Sequence, residues 1–380
     1  MEKYKIVVCD HIHEEGLNLL RRDDQVEMIF AADMDKVALL DVIKDADVAI
    51  TRSSTDVDDK FIEAGRGLKA LVRAGVGVDN VDIPGCSKEG IIVMNVPTAN
   101  TIAAVELTMA HMLSCMRMFP YSHDHLKNQR IWKREKWYGY ELKGKKLGVI
   151  GFGNIGSRVG IRSKAFEMDV IAYDPYIHPS KATDVGAKYT TNFDDILACD
   201  IITIHTPKNK ETIGMIGADE IAKMKDGVVL INCARGGLYD EDALYDGLKS
   251  GKIRFAGIDV FNKEPATDNK LLDLDNICVS PHLGANTFES QYNIAVEAAQ
   301  QAIEAAKGIA YPHALNLPID ETKIPAFVKP FLEMGQKIGF LASQMNKAPI
   351  VSIKVSGRGD IAEYVNSLAT FVTVGALADT

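Results

Sequence analysis

No two cysteines stand close together along this chain. The six, Cys9, Cys86, Cys115, Cys199, Cys233 and Cys278, are spread along the sequence and form no C-x-x-C pair. That pattern argues against a zinc site or a disulfide framework and for reduced thiols in a cytoplasmic protein. No apolar run reaches the roughly 20 residues that a membrane-spanning helix needs. The best candidate, residues 102–118, is interrupted by Glu106, His111 and Arg117. A signal-peptide pattern is missing as well, since Met1, Glu2 and Lys3 lead straight into a short strand. Positive charge is in deficit: 43 Lys and Arg against 52 Asp and Glu leave a net charge of −9. This disfavours nucleic acid and anionic membranes as partners, and an anionic substrate would have to be held by local arginines. Internal repeats and low-complexity tracts are absent. Apolar residues are plentiful, at 47% of 380, which supplies packed cores for two or three domains.

The chain is organised around residues 146–174, KLGVIGFGNIGSRVGIRSKAFEMDVIAYD. Apolar Leu147, Val149 and Ile150 suit a buried strand, and Gly151, Gly153 and Gly156 then fall at the G-x-G-x-x-G spacing. That spacing permits a tight turn, approach of backbone to a pyrophosphate and close helix–strand contact, with the phosphates on the helix N-terminus. Val170, Ile171 and Ala172 make the next strand. Asp174 at its end is placed to accept hydrogen bonds from an adenosine ribose, and its charge would repel a 2′-phosphate, favouring NAD over NADP. Three glycines alone suit a flexible loop; strand, helix, second strand and terminal acid together point to a dinucleotide cradle.

From Lys5 to Pro97 short apolar strands (IVV, VEMIF, DVAIT, LKALVR, IIVMNV) alternate with helical stretches such as 37–43 and 61–64. The alternation predicts a parallel α/β sheet. Arg52 and Ser53 follow VAIT, and Arg73 to Gly77 follow LKALV, so both sets sit where open α/β sheets bind ligands. Residues 101–118 predict one long helix, apolar nearly all round and therefore buried between domains or subunits. Residues 120–140 are aromatic and basic; on an acidic protein an inter-subunit arm is the preferred reading over nucleic-acid stacking. Beyond the cradle, strands at 201–206, 228–233, 256–261 and 277–280 and helices near 194–198, 219–224 and 240–250 complete a doubly wound sheet. A helix follows over 288–307, then a linker over 313–318. Residues 319–380 predict a helix over 327–345, a strand over 350–355, a Gly-Arg-Gly turn and a helix over 361–368. One strand makes no stable sheet, so the chain is expected to stop inside an incomplete α+β domain.

Three residues close strands after the cradle: Arg235 in NCARGGLYDEDAL, Glu264 in GIDVFNKEP and His282 in SPHLGA. Singly each suits a loop. Brought together at a nicotinamide they would supply a general base (His282), an acid that holds its imidazolium (Glu264) and a forked cation for a substrate carboxylate (Arg235).

GFGNIGSRVG, NCARGG, DVFNKEP and SPHLGA together resemble the NAD-dependent D-2-hydroxyacid dehydrogenase family over about residues 4–315. The resemblance implies two Rossmann-like domains with the active site in a cleft. Residues 1–98, completed by 288–315, would bind substrate, and 99–287 would bind NAD. It carries NAD contacts onto Asn154, Ile155, Asp174, Thr206, Pro207, Cys233, Ala234 and Asp259, with Asp259 facing the nicotinamide amide. Substrate contacts fall on Arg52, Ser53, Arg73, Gly75, Val76 and Asn100, and Arg134 matches an arm residue that reaches a neighbouring subunit's site. Val76 stands where a threonine is often found, and Asn286 where serine is common, so reaction type is better defined than substrate. RAGVGVDNVD, NVPTANTIAAVELT and the NLP tail look most like members acting on a phosphorylated 2-hydroxy acid. Residues 319–380 resemble the opening of a regulatory region. The implied partners are a small anionic 2-hydroxy acid and further copies of the chain, as a homodimer or homotetramer, with no metal. Two alternatives are another 2-hydroxyacid dehydrogenase and a non-catalytic NAD-sensing protein on the same fold.

Overall fold

In the computed structural model, residues 3–317, 324, 325, 327–345 and 350–376 are described. They fall into two compact units, Met1–Pro97 with Ala295–Thr380, and Thr98–Ile294. Each unit is built on a parallel sheet.

The first sheet contains β1 (Tyr4–Val8), β2 (Val26–Phe30), β3 (Val48–Thr51), β4 (Ala70–Arg73) and β5 (Ile92–Asn95), in the order β2-β1-β3-β4-β5. The second contains β6 (Lys146–Ile150), β7 (Asp169–Tyr173), β8 (Lys188–Thr190), β9 (Ile201–Ile204), β10 (Val228–Asn232), β11 (Ile253–Ile258) and β12 (Ile277–Val279), in the order β12-β11-β10-β9-β6-β7-β8. Runs such as VAIT in β3 and VVLIN in β10 are buried at every position, as strands covered on both faces must be. Strand order reverses beside β1 in one sheet and beside β6 in the other. Loops leaving the carboxyl ends there open the crevices in which such sheets bind ligands.

Local chemistry places the helices. Asp35 and Asp58 cap the helices Lys36–Ile43 and Asp59–Ala64, each accepting two backbone N–H groups, worth about 1 kcal/mol per cap. The long helix Thr101–Arg117 is buried within the second unit: Val105, Met109, Met112 and Met116 pack with Leu147, Val149 and Ile231 of the sheet. Its apolar surface is therefore used inside one unit. It ends at Met118, in left-handed conformation, where the helix Phe119–Lys127 turns away. Among the described residues no single helix is long and apolar enough to cross a membrane. In the aromatic, basic stretch that follows, Trp132 and Tyr138 are exposed.

Three expectations change. The linker over 313–317 is docked: Asn316 accepts from Val93 N and donates to Ile91 O, pinning the segment along β5. Pro318 lies outside the described residues. No strand forms at 350–355, because nothing among the described residues pairs with it. The last helix is Val365–Ala376, entered through a 3-10 turn at Gly359–Tyr364. It packs tightly on the helix Lys329–Met345, since a Cβ on Gly339 would lie 1.9 Å from Val372 O and one on Gly375 would lie 1.9 Å from Gln336 O. The short edge strand β8 is an addition, too brief to register as a pattern.

Candidate active site

The turn after β6 is shaped by its glycines for two different reasons. Gly151 has φ 82°, and a Cβ on Gly156 would lie 2.0 Å from Gly151 O, so these two are required by the protein's own packing. Gly153 is not: a Cβ there would meet nothing within 4 Å. Its bareness serves open space, where a pyrophosphate approaches. The helix Asn154–Ala165 starts there with no side-chain cap, leaving its first N–H groups to an anion. Asp174 directly follows β7, accepting from Phe152 N at 2.8 Å and Tyr176 N at 2.9 Å, which locks its carboxylate beside the turn with lone pairs to spare. Across the turn, Thr206 Oγ1 is buried without a hydrogen-bond partner, as is Asn100 Oδ1 at the head of the long helix. Orphaned buried acceptors cost free energy unless something binds them, so the residues fit a dinucleotide. Asn154 and Pro207 are exposed, Ile155 and Ala234 half-buried. Cys233 is buried, and burial pushes its thiol pKa up, with Asp259 adding to the effect; only its backbone is left to face a ligand.

Arg235, Glu264 and His282 belong to three loops of this unit. His282 Nδ1 lies 2.7 Å from Glu264 Oε2. The other Glu264 oxygen accepts from Phe261 N at 3.0 Å. Burial opposes ionisation of Glu264, but the His282 and Phe261 hydrogen bonds and the charges of His282 and Arg235 outweigh it and hold the pKa below the usual carboxylate range. Gly236 brings the Arg235 loop against the Glu264 loop: a Cβ there would lie 1.9 Å from Phe261 O. Asn232 fixes the Arg235 turn, donating to Arg235 O at 2.8 Å and accepting from Ala234 N at 3.0 Å.

Asp259, expected to face the nicotinamide amide, is already engaged within its own unit. It is fully buried, and its oxygens accept from Ser280 Oγ, Leu283 N and Gly284 N at 2.5, 2.7 and 3.0 Å. Those donors tie it to the loop carrying His282.

The first unit holds the remaining candidates at its own strand ends. Arg52 follows β3; its Nη1 donates to His11 O at 2.9 Å. Its backbone N–H donates to Asp10, and its carbonyl accepts from Asn80 at 2.7 Å. Burial lowers the Arg52 pKa, against the neighbouring Asp10 charge. Ser53 is exposed on the same loop. Arg73 closes β4 beside Gly75, whose φ is 147° and where a Cβ would lie 1.8 Å from Arg73 Nη1. Only glycine leaves the guanidinium that seat. The carbonyl of Val76 accepts from Asn95 at 2.8 Å. Asp10, Asn80, Asn232 and Gly236 escaped the sequence reading because their work is to hold backbone.

Residues 109–284 match the model of the D-isomer specific 2-hydroxyacid dehydrogenase NAD binding domain. A D-3-phosphoglycerate dehydrogenase of Archaeoglobus fulgidus is 41% identical over 360 residues, covering 94% of this chain and 68% of that protein. One from Bacillus subtilis is 39% identical over 368 residues, covering 97% and 69%. The crystal structure of a D-lactate dehydrogenase from Aquifex aeolicus, complexed with NAD and lactic acid, superposes with a TM-score of 0.73 at 29% identity, over 83% of this chain and 100% of that one. With this glycine turn, this acid-paired histidine and these relatives, the chain belongs to the D-isomer specific 2-hydroxyacid dehydrogenase family.

Proposed function

We propose that the chain oxidises D-3-phosphoglycerate to 3-phosphohydroxypyruvate with NAD, the first step of serine biosynthesis. The observation that carries the chemistry is the 2.7 Å contact between His282 Nδ1 and Glu264, on loops that pack against the Arg235 turn. The chemistry NAD supplies when bound is hydride acceptance. Nδ1 is committed to Glu264, so His282 takes the substrate hydroxyl proton at Nε2 as general base. Glu264 steadies the imidazolium by charge. Arg235 holds the substrate carboxylate and polarises the adjacent oxygen. Gly151, Gly153, Asn154, Ile155 and Gly156 cradle the pyrophosphate, Asp174 the ribose, and Thr206, Pro207, Cys233 and Ala234 line the rest, the last two by backbone. Arg52, Ser53, Arg73, Gly75, Val76 and Asn100 are assigned to substrate, with the two arginines on the phosphate. Relatives of about 40% identity bear the phosphoglycerate name, which supports this substrate. We assign the enzyme to the cytoplasm as a homodimer or homotetramer, with residues 120–140 as its contact arm. Steady-state rates on a panel of phosphorylated and unphosphorylated 2-hydroxy and 2-keto acids test the assignment. Equal efficiency on both classes overturns the phosphate reading and leaves a general 2-hydroxyacid dehydrogenase.

Two variants probe individual roles. Asp174→Ala removes ribose hydrogen bonds and the repulsion of a 2′-phosphate together, so the preference for NAD over NADP should narrow by about tenfold or more. A wild-type enzyme that uses both cofactors equally contradicts the role. Glu264→Gln keeps the shape and removes the charge that favours the protonated imidazole. The acidic limb of the pH–rate profile therefore moves to lower pH, with a reduced plateau. An unmoved limb means that Glu264 does not couple to the base.

A further inference from the structure

His111 is a buried imidazole to which neither cofactor nor substrate chemistry gives a task. It lies on the helix Thr101–Arg117, where its neighbours along the buried face, Thr108, Met112 and Cys115, fill the core. It is more than filler. His111 Nε2 is 2.7 Å from Ser280 Oγ, and Ser280 Oγ is 2.5 Å from Asp259 Oδ1. Asp259 in turn holds the loop that carries His282 at three points: its carboxylate accepts from Leu283 N and Gly284 N, and its backbone carbonyl accepts from His282 N at 2.8 Å. Across this loop His282 is kept at φ 55°, in the left-handed region that non-glycine residues seldom occupy unless their surroundings enforce it.

Proton accounting fixes the direction of the chain. Ser280 has one hydroxyl hydrogen, and it goes to Asp259, whose oxygens also receive backbone N–H groups. Ser280 Oγ must therefore accept from His111, which places the imidazole proton on Nε2. Burial holds the His111 pKa below its ordinary value, against the charge of Asp259 and a backbone hydrogen bond with Cys278. The approach is allowed by Gly257 of β11, where a Cβ would lie 2.9 Å from His111 Cβ.

We propose that His111 is a positioning residue: through Ser280 it fixes the Asp259 carboxylate, and through that carboxylate the loop that presents His282. The proposal rests on the reading of His282 as the base. It is tested with His111→Leu, His111→Gln and Ser280→Ala, using two readouts. One is hydrogen exchange at the amides of Leu283 and Gly284 in the cofactor-free protein, and the other is kcat against KM for substrate.

Leucine fills the ring's place without a donor, whereas glutamine can return an N–H near the Nε2 position. His111→Leu and Ser280→Ala should speed exchange at the two amides about tenfold and lower kcat about tenfold, with substrate KM within about twofold. His111→Gln should restore both. Unchanged exchange in His111→Leu overturns the proposal, as does faster exchange with wild-type kcat. A glutamine variant that behaves like the leucine one makes His111 mere packing and also overturns it. Failure of the base reading is distinguishable, because it shows as near-normal turnover in His282→Ala, whereas the exchange comparison needs neither cofactor nor turnover.

Discussion

His282→Ala is expected to lower kcat by about a hundredfold or more while leaving NAD affinity within about twofold, the scale on which a positioned proton acceptor contributes. The reason lies in how fully the imidazole is oriented before any substrate arrives. Glu264 holds Nδ1 at 2.7 Å, and Asp259 O holds the backbone N–H at 2.8 Å. Such an arrangement costs the protein a left-handed backbone at His282, which is maintained only because the loop is bonded on both sides. Alanine removes the proton acceptor and leaves the cradle after β6 in place, since Asp174 is held by Phe152 N and Tyr176 N of its own turn. Steady-state kinetics combined with titration of NADH fluorescence separate the two effects. Near-normal turnover in this variant would sink the mechanism.

Much of the fold is readable because parallel sheets advertise themselves. Strands covered on both faces are apolar over most of their length, so VAIT, LGVI and VVLIN stand out from their polar surroundings. What failed to show is structure that depends on distant partners. β8 is three residues long, KYT, and exists because it can pair with β7. The segment over 350–355 is rich in β-branched residues and reads as a strand, yet with no strand beside it among the described residues its backbone gains nothing from extension. Asn316 looks like a linker residue until its side chain is seen to complete the edge of β5.

Site residues divide in the same way. Gly151, Gly156, Asp174, Arg235, Glu264 and His282 are legible because motif spacing and position at strand ends carry their chemistry. The supports are not. Asn232 is one letter before a recognisable turn, Gly236 is needed for a contact with a loop some 25 residues away in sequence, and Asp10 and Asn80 hold the Arg52 loop from other loops. His111 did leave a trace, as a polar interruption in an otherwise apolar helix, but its partner Ser280 is 169 residues away. Asp259 is the instructive case: the family resemblance marks it for a ligand, and only the structure shows that it also holds backbone, buried with three donors.

Arg73→Ala should raise KM for D-3-phosphoglycerate about ten- to a hundredfold while changing KM for an unphosphorylated 2-hydroxy acid by no more than about twofold. Each charge-assisted contact to a phosphate oxygen contributes more than a neutral one, and a planar fork can make two at once. The seat is already built: β4 delivers Arg73 to the strand's carboxyl end, and Gly75, with φ 147°, leaves the space that its guanidinium occupies. Removing the side chain deletes a cation from a protein whose net charge of −9 otherwise repels a phosphorylated acid, so the loss falls on the phosphate-bearing substrate. Raising ionic strength should shrink the difference between wild type and variant, because screening weakens the same attraction. Equal losses on both substrates would move Arg73 to the carboxylate or to a purely structural role, and Gly75→Ala offers the internal check. Displacing the guanidinium without deleting it should reproduce the selective loss if Arg73 holds phosphate, and should leave the substrate preference unchanged if it does not.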